Sequence, residues 1–418
     1  MIRERLNAGY DALPSGLRHF ISPLVEPGYE LAKRVFSLPA QRCQETYLLR
    51  GMEAQSGALL TTLYSGHPQT MRYFCGRLYS REPLVREMGR RPVWQLQRLG
   101  RSRTVQADLV LLERDCFWGA SMRRAGYLCL PQWVLFRMDI SRPWSEFRQR
   151  FARKSLRSNL TRVRKSGYYY SLATDNQAWR YFYEHMYLVY ARKRYGDSCI
   201  VYSPRQHHRF FEKGGRLLFL HTRDHRRVAG VLLVPDNRTL KFHSLGIRDD
   251  ADPRLAAGSG TALYYFSIIW AREQGYRCMD FGHCRPFLDD GLFLYKKRWG
   301  MRIDKSPRIK TLVGIRALSR RPALRNIARR MECVFLHDGR LKGLACIGHD
   351  QPVEEREMRE RFQKRYIEGL DRLFVVAPGG FTPAAREAVA AEAGGRLSLL
   401  AGEPAQILLN AGRRGNII

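Results

Sequence analysis

Gly258-Ser259-Gly260-Thr261 stands between a stretch that reads as a strand, Thr239–Leu245, and one that reads as a helix, Thr261–Gln274. Glycines at such a junction let backbone approach a bound group closely. The first N–H groups of a helix are unpaired and lie at the positive end of its dipole. Together these suit a pyrophosphate or a carboxylate; the plainer reading is an ordinary turn. A second strand, Tyr276–Phe281, completes the order strand, glycine loop, helix, strand. His243 lies in the first strand, with Asp280 and His283 at the end of the second.

The other chemistry-bearing feature is cationic. Trp144–Gly167 holds Arg148, Arg150, Arg153, Lys154, Arg157, Arg162, Arg164 and Lys165 against the single acid Glu146. Phe147, Phe151, Leu156, Leu160 and Val163 recur at helical spacing, so the stretch predicts a helix over Phe147–Ser166, stopped by Gly167. Like charges three and four residues apart repel and destabilise an isolated helix. A phosphate-bearing partner facing Arg153, Lys154 and Arg157 would offset that cost. The alternative is a solvated face in an arginine-rich chain.

Several chemistries are excluded. His221 and His225 straddle a turn, and His207-His208 reads as a polar loop, so no metal site is expected. The chain has no Walker loop, no G-x-S-x-G and no H-E-x-x-H.

The chain has 418 residues, with 72 Lys+Arg against 39 Asp+Glu and a net charge of +33. Only 12 of the 72 are Lys. A sign asymmetry of this size implies an anionic partner: nucleic acid, a lipid-linked phosphate or a membrane surface, or a polyanionic substrate or cofactor. With 44% hydrophobic residues the chain can bury a core, and its length predicts two or three domains. Nine widely spaced Cys, with no C-x-x-C, point to reduced thiols in a cytoplasmic protein. Met1–Leu13 has no signal-peptide pattern, and no apolar run approaches the roughly 18 residues a membrane span needs. Leu17–Leu38 mixes apolar and basic residues, which admits peripheral attachment at the inner face of a membrane, but Pro23 and Pro27 interrupt it. Oligomeric state is not readable.

Residues 1–44 read as short helices broken by prolines. Strands are expected at Thr46–Leu49, Ala58–Tyr64, Met71–Tyr79, Ala107–Leu112 and Tyr127–Ile140. Asp175 caps a helix reaching about Tyr195, with an aromatic core stripe from Trp179 to Tyr190. A meander, Arg216–Leu220, Val228–Val234 and Thr239–Leu245, leads into the glycine loop. After a basic helical linker from about Lys310, the last module reads hairpin, helix, strand, helix, strand. Strand and helix alternate throughout, the mark of an α/β or α+β class.

Two segments now carry a resemblance. "FRQRFARKSLRSNLTRVRKSGYYY" is similar to the basic helix of FemAB-like proteins in the GNAT acyltransferase superfamily, and "DFGHCRPFLDDGLFLYKKRWG" to their Asp-Phe-Gly strand end followed by Lys and Trp-Gly. The resemblance covers roughly residues 45–310. It implies a GNAT-like fold, with two tandem GNAT-like halves as a further expectation, over 45–145 and 146–310. Residues 311–418 form the linker and small α/β module. At the usual donor loop the chain departs from the family's pattern: Leu255 holds the first position and Arg254 comes one residue early. The C-terminal module also vaguely resembles the end of Mrr-like nuclease domains, without the Glu-x-Lys their metal chemistry requires, and reads as a docking module.

The resemblance implies an N-acyltransferase that binds no permanent cofactor and uses acyl-CoA or an aminoacyl-tRNA as co-substrate. The acceptor would be an amine of an envelope or exopolysaccharide precursor. A non-catalytic nucleic-acid-binding protein on the same fold is the rival. Two parallel strands, Thr239–Leu245 and Tyr276–Phe281, should splay at the sheet centre, with Gly258, Ser259, Gly260 and Thr261 holding the donor. The attacking amine must lose a proton and the oxyanion must be stabilised. His243, Asp280 and His283 are the expected bases and Tyr295 the proton donor. Lys296 and Arg285 are expected on a phosphate or oxyanion, beside Arg153, Lys154 and Arg157. The chemistry needs no acyl-enzyme, so Cys284 has no expected role.

Overall fold

A computed structural model describes residues 43–143, 146, 154–196, 201–248, 253–305, 310–392 and 395–410. These fall into two compact units, 43–119 with 314–324, and 120–313 with 325–410. The short helices read in residues 1–44 lie almost wholly outside the described residues.

The first unit is built on β1 (Cys43–Met52), β2 (Leu59–Ser65), β3 (Leu84–Pro92) and β4 (Leu109–Asp115), in the order β3-β1-β2-β4. β1 runs antiparallel to both its neighbours, and β2 runs parallel to β4. One expectation fails here: Met71–Tyr79 is not a strand but most of helix α1 (Pro68–Leu78). Pro68 sits in the first turn, where its missing N–H costs nothing, and the His67 side chain caps Gln69 N. Thr70, Met71, Phe74 and Leu78 then share one buried face.

The second unit contains β5 (Leu128–Pro131) and a seven-stranded sheet. The sheet uses β6 (Val134–Asp139), β7 (Tyr169–Ala173), β8 (Arg216–His221), β9 (Arg227–Asp236), β10 (Thr239–Ile247), β11 (Cys278–Cys284) and β12 (Arg302–Asp304). Their order is β12-β6-β11-β10-β9-β8-β7. β6 was expected in the first half, yet it pairs antiparallel with β11, so the boundary at 145/146 does not hold. The region from 311 is likewise not all linker: β13 (Thr311–Ala317) is a strand within which the chain passes back to the first unit.

Helices cover the sheet. α2 (Lys154–Ser166) packs on α6 (Pro253–Glu273), which lies over β8, β9 and β10. On the other side run α3 (Asn176–Phe182), a π-helical segment Tyr183–Tyr187, α4 (Leu188–Tyr195) and α5 (Pro204–Glu212). Asp175 caps α3 by accepting from Ala178 N at 2.8 Å, as the sequence indicated. Phe182, Met186, Phe211, Phe219 and Val234 form the core there. His207 is in α5, not in a polar loop. Ser203 and Gln206 close a capping box and Pro204 opens the helix, a start signal visible in the sequence.

The C-terminal module follows its sequence reading closely. β14 (Cys333–His337) and β15 (Arg340–Cys346) form a hairpin whose turn residues Asp338 and Gly339 have φ of 48° and 72°, the paired left-handed conformation of a tight hairpin turn. Helix α8 (Glu355–Arg365), β16 (Arg372–Ala377), α9 (Pro383–Glu392) and β17 (Leu397–Ala401) follow, with β15, β16 and β17 parallel.

Candidate active site

β10 and β11 are parallel neighbours, as the resemblance implied, but they pair over only three positions, Thr239↔Cys278, Leu240↔Met279 and Lys241↔Asp280. Beyond Lys241 and Asp280 both strands continue without pairing to each other. Each also carries an irregularity there, between Phe242 and Ser244 against β9 and between Asp280 and His283 against β6. Bulges twist and re-aim a strand, and here two lie at the level where the β10–β11 pairing stops.

The β11 bulge has identifiable causes. Gly282 has φ 72°, and Asp280 Oδ1 accepts from its N–H at 2.8 Å. Lys296 is 3% exposed. Its Nζ donates to the carbonyls of Phe281 at 2.7 Å and His283 at 3.3 Å, and lies 5.3 Å from the centre of the Phe136 ring. Lys296 was expected on a phosphate or oxyanion; instead its donors are turned inward to the backbone carbonyls on either side of Gly282. Asp280 shapes this turn, and His283 is exposed.

Tyr295 comes from α7 (Gly291–Arg298), whose N-cap Asp290 accepts from Leu292 N and Phe293 N at 2.9 and 3.1 Å. The Tyr295 hydroxyl lies 3.4 Å from Thr261 Oγ1. Burial raises its pKa above the ordinary tyrosine value, with the Thr261 hydrogen bond opposing, so it keeps its proton at neutral pH and can donate it. Tyr264 of α6 packs among Phe242, Phe281, Tyr295 and Trp299, with ring centres 4.6 to 5.5 Å away.

His243 lies on the α5 side, at the β10 bulge. Its ring centre is 4.0 Å from Phe210, 5.1 Å from Tyr202 and 5.8 Å from His207. Its Nδ1 is buried without a hydrogen-bond partner among the described residues. Burial, helped by Lys241, lowers its pKa from 6.5 to about 4. An ordinary ammonium titrates several units higher, and each unit is about 1.4 kcal/mol. His243 is therefore poorly suited to stripping that proton and well suited to accepting a hydrogen bond from an amine that arrives neutral.

Beside it is a chain of hydrogen bonds that the sequence reading missed. Trp179 Nε1 donates to His207 Nδ1 at 3.0 Å. An indole N–H only donates, so the His207 proton sits on Nε2, which is 2.7 Å from Ser244 Oγ. His207 is fully buried, and burial, with His243 and His208 adding, takes its pKa down to about 3.

The expected donor loop is also placed differently. Gly258, Ser259, Gly260 and Thr261 lie inside α6, which starts at Pro253. Their N–H groups fall within the helix's own bonding pattern, so they are not the unpaired first-turn donors; Ser259 and Thr261 are buried. Arg285 stacks its guanidinium 4.0 Å over the Trp133 ring. Lys154 and Arg157 open α2, whereas Arg153 lies outside the described residues. Among the described residues no group of His, Cys, Asp and Glu could hold a metal ion, none of the eight cysteines is in a disulfide, and no helix is long and apolar enough to cross a membrane.

Residues 150–330 match the family described as acetyltransferase (GNAT) domain. No curated protein matches the chain. Among solved structures it is similar to FemX (13% identity, TM-score 0.35, 64% of this chain and 83% of that one). It is also similar to L-PGS from Bacillus licheniformis (12%, 0.33, 65% and 85%) and to a GCN5-related N-acetyltransferase from Sphaerobacter thermophilus (12%, 0.29, 65% and 76%).

Proposed function

Because residues 150–330 carry a GNAT-type acetyltransferase domain, we propose that the chain is an N-acyltransferase of FemAB-like type. It moves an acyl group from acyl-CoA directly to an amine, on an acceptor of the envelope or exopolysaccharide class. The observation that carries this reading is the β10/β11 pair, hydrogen-bonded at three positions and then separating at two bulges.

In this reading the extended arm of the donor enters where the ladder stops, adding its amides to the exposed strand edges as an added strand does. The thioester carbonyl then lies where the two strands separate. The acceptor comes from the α5 side, its neutral nitrogen donating to His243. C–N bond formation pushes the carbonyl electrons onto oxygen, and C–S cleavage returns them. The thiolate takes a proton from the Tyr295 hydroxyl, which solvent reprotonates, and the new amide loses its extra proton to solvent. Holding both partners in one geometry supplies most of the acceleration.

The net charge of +33 favours a second donor, an aminoacyl-tRNA, in which the leaving group is a ribose hydroxyl. Thermal-shift titration with CoA, acyl-CoAs and total tRNA separates the two. A shift with acyl-CoA supports the first reading and a shift with tRNA alone supports the second. Tight tRNA binding with no transfer to any amine would favour the non-catalytic rival.

A further inference from the structure

We infer that the C-terminal module is built into the transfer site, and that Glu332 is a positioning residue for α7, the helix that carries Tyr295 and Lys296. The functional half of this statement rests on the acyl-transfer reading above; the structural half does not.

The module grips α7 before, within and after the helix. Before it, Leu288 N donates to Glu332 O at 3.0 Å, Val334 N to Pro286 O at 2.8 Å, and Phe287 bridges Cys333. Arg365 Nη1 donates back to Leu288 O at 3.1 Å. Within it, Lys297 Nζ donates to the carbonyls of Gln363 and Lys364, both at 2.8 Å. Those carbonyls end α8, where no intrahelical partner exists. After it, Ile303 N donates to Glu368 O at 2.9 Å. Gly369, with φ 101°, passes so close that a Cβ there would lie 1.8 Å from Ile303 O.

Glu332 is the hub of the first grip. It is 4% exposed and takes Arg361 at 2.7 Å and Arg365, itself 7% exposed, at 2.5 Å. A buried carboxylate serving two guanidiniums cannot be neutralised without stranding buried positive charge. From α7 the constraint passes to the site directly, because Tyr295 reaches Thr261 and Lys296 holds the β11 bulge. A merely tethered module would need none of these contacts.

Hydrogen exchange on the full chain tests this with Glu332→Gln, Gly369→Ala and the milder Arg361→Gln. Amide protection in 281–284 and 291–298 should fall at least tenfold, while β8 and the first unit's sheet keep theirs. Unchanged exchange in 281–284 and 291–298 in the folded variants, or an equal rise throughout 120–410, would overturn the inference. The exchange result stands whether or not any donor is turned over, so it fails separately from the acyl-transfer reading. If acetyl-CoA is turned over, Arg361→Gln should lower kcat about tenfold and leave the donor KM within twofold. An unchanged kcat would remove the positioning role.

Discussion

Lys296 Nζ lies 2.7 Å from the carbonyl oxygen of Phe281, from a side chain that is 3% exposed. That carbonyl belongs to the stretch of β11 where pairing with β6 breaks between Asp280 and His283. The ammonium thus gives the Phe281 carbonyl a partner where the β6 ladder breaks and holds the strand in its bulged shape.

Lys296→Met should consequently destabilise the fold by about 1–3 kcal/mol, because the buried Phe281 carbonyl loses its donor and an unsatisfied buried group costs about that much. Urea unfolding measures it. An unchanged midpoint would mean that water or the backbone supplies the missing donor.

His207 and His243 should make the protein acid-sensitive in a defined window. Both are held neutral, at about 3 and about 4 against 6.5 for an ordinary histidine. Between pH 6.5 and about 4 the unfolded chain binds more protons than the folded one. Stability therefore rises with pH across that window, by up to about 1.4 kcal/mol per pH unit for each histidine, and no further above it. Unfolding free energies measured from pH 4 to 8 should bend near 6.5, and His207→Asn should flatten the acid limb. An acid limb equally steep in that variant would assign the sensitivity elsewhere.

Gly246 of β10 should tolerate no side chain. A Cβ there would lie 2.5 Å from the Met186 carbonyl carbon and 2.6 Å from Tyr187 N, in the backbone of the π-helical segment. Gly246→Ala should cost about 2–3 kcal/mol, in the range of core overpacking, read as a lower thermal midpoint. Wild-type stability would show that the π-helical segment yields freely.

Arg153, Lys154 and Arg157 changed together to Gln should weaken binding of a phosphate-bearing partner and reduce its salt dependence. For total tRNA the log–log slope should drop by up to about 2–3. An unchanged slope would make these basic residues a solvated surface.

Much of this was legible because it depends on local pattern. The β8–β9–β10 meander, the Asp175 cap and the Asp338-Gly339 hairpin are written in apolar runs and turn residues, which act over a few positions. The parallel neighbours β10 and β11 were what the resemblance implied for Thr239–Leu245 and Tyr276–Phe281. The direction of Lys296 was not legible, because a lysine beside Trp299 looks the same whether it faces an anion or a bulge. The bulges, the Trp179–His207–Ser244 chain and the grip of Glu332 on α7 join residues far apart in sequence. Gly258 and Gly260 misled because glycine before an apolar helix usually marks its start; here Pro253 opens the helix earlier and the glycines lie within it.

The most direct measurement is a thermal-shift titration of the full chain with acetyl-CoA and longer acyl-CoAs beside free CoA and total tRNA. A donor at 100 times its Kd adds about 2.7 kcal/mol of stability, a rise of several degrees in the unfolding midpoint. The expected result is such a rise with at least one acyl-CoA. No rise with any CoA thioester would contradict acyl-CoA as the donor, and no rise with tRNA either would remove the acyltransferase reading itself.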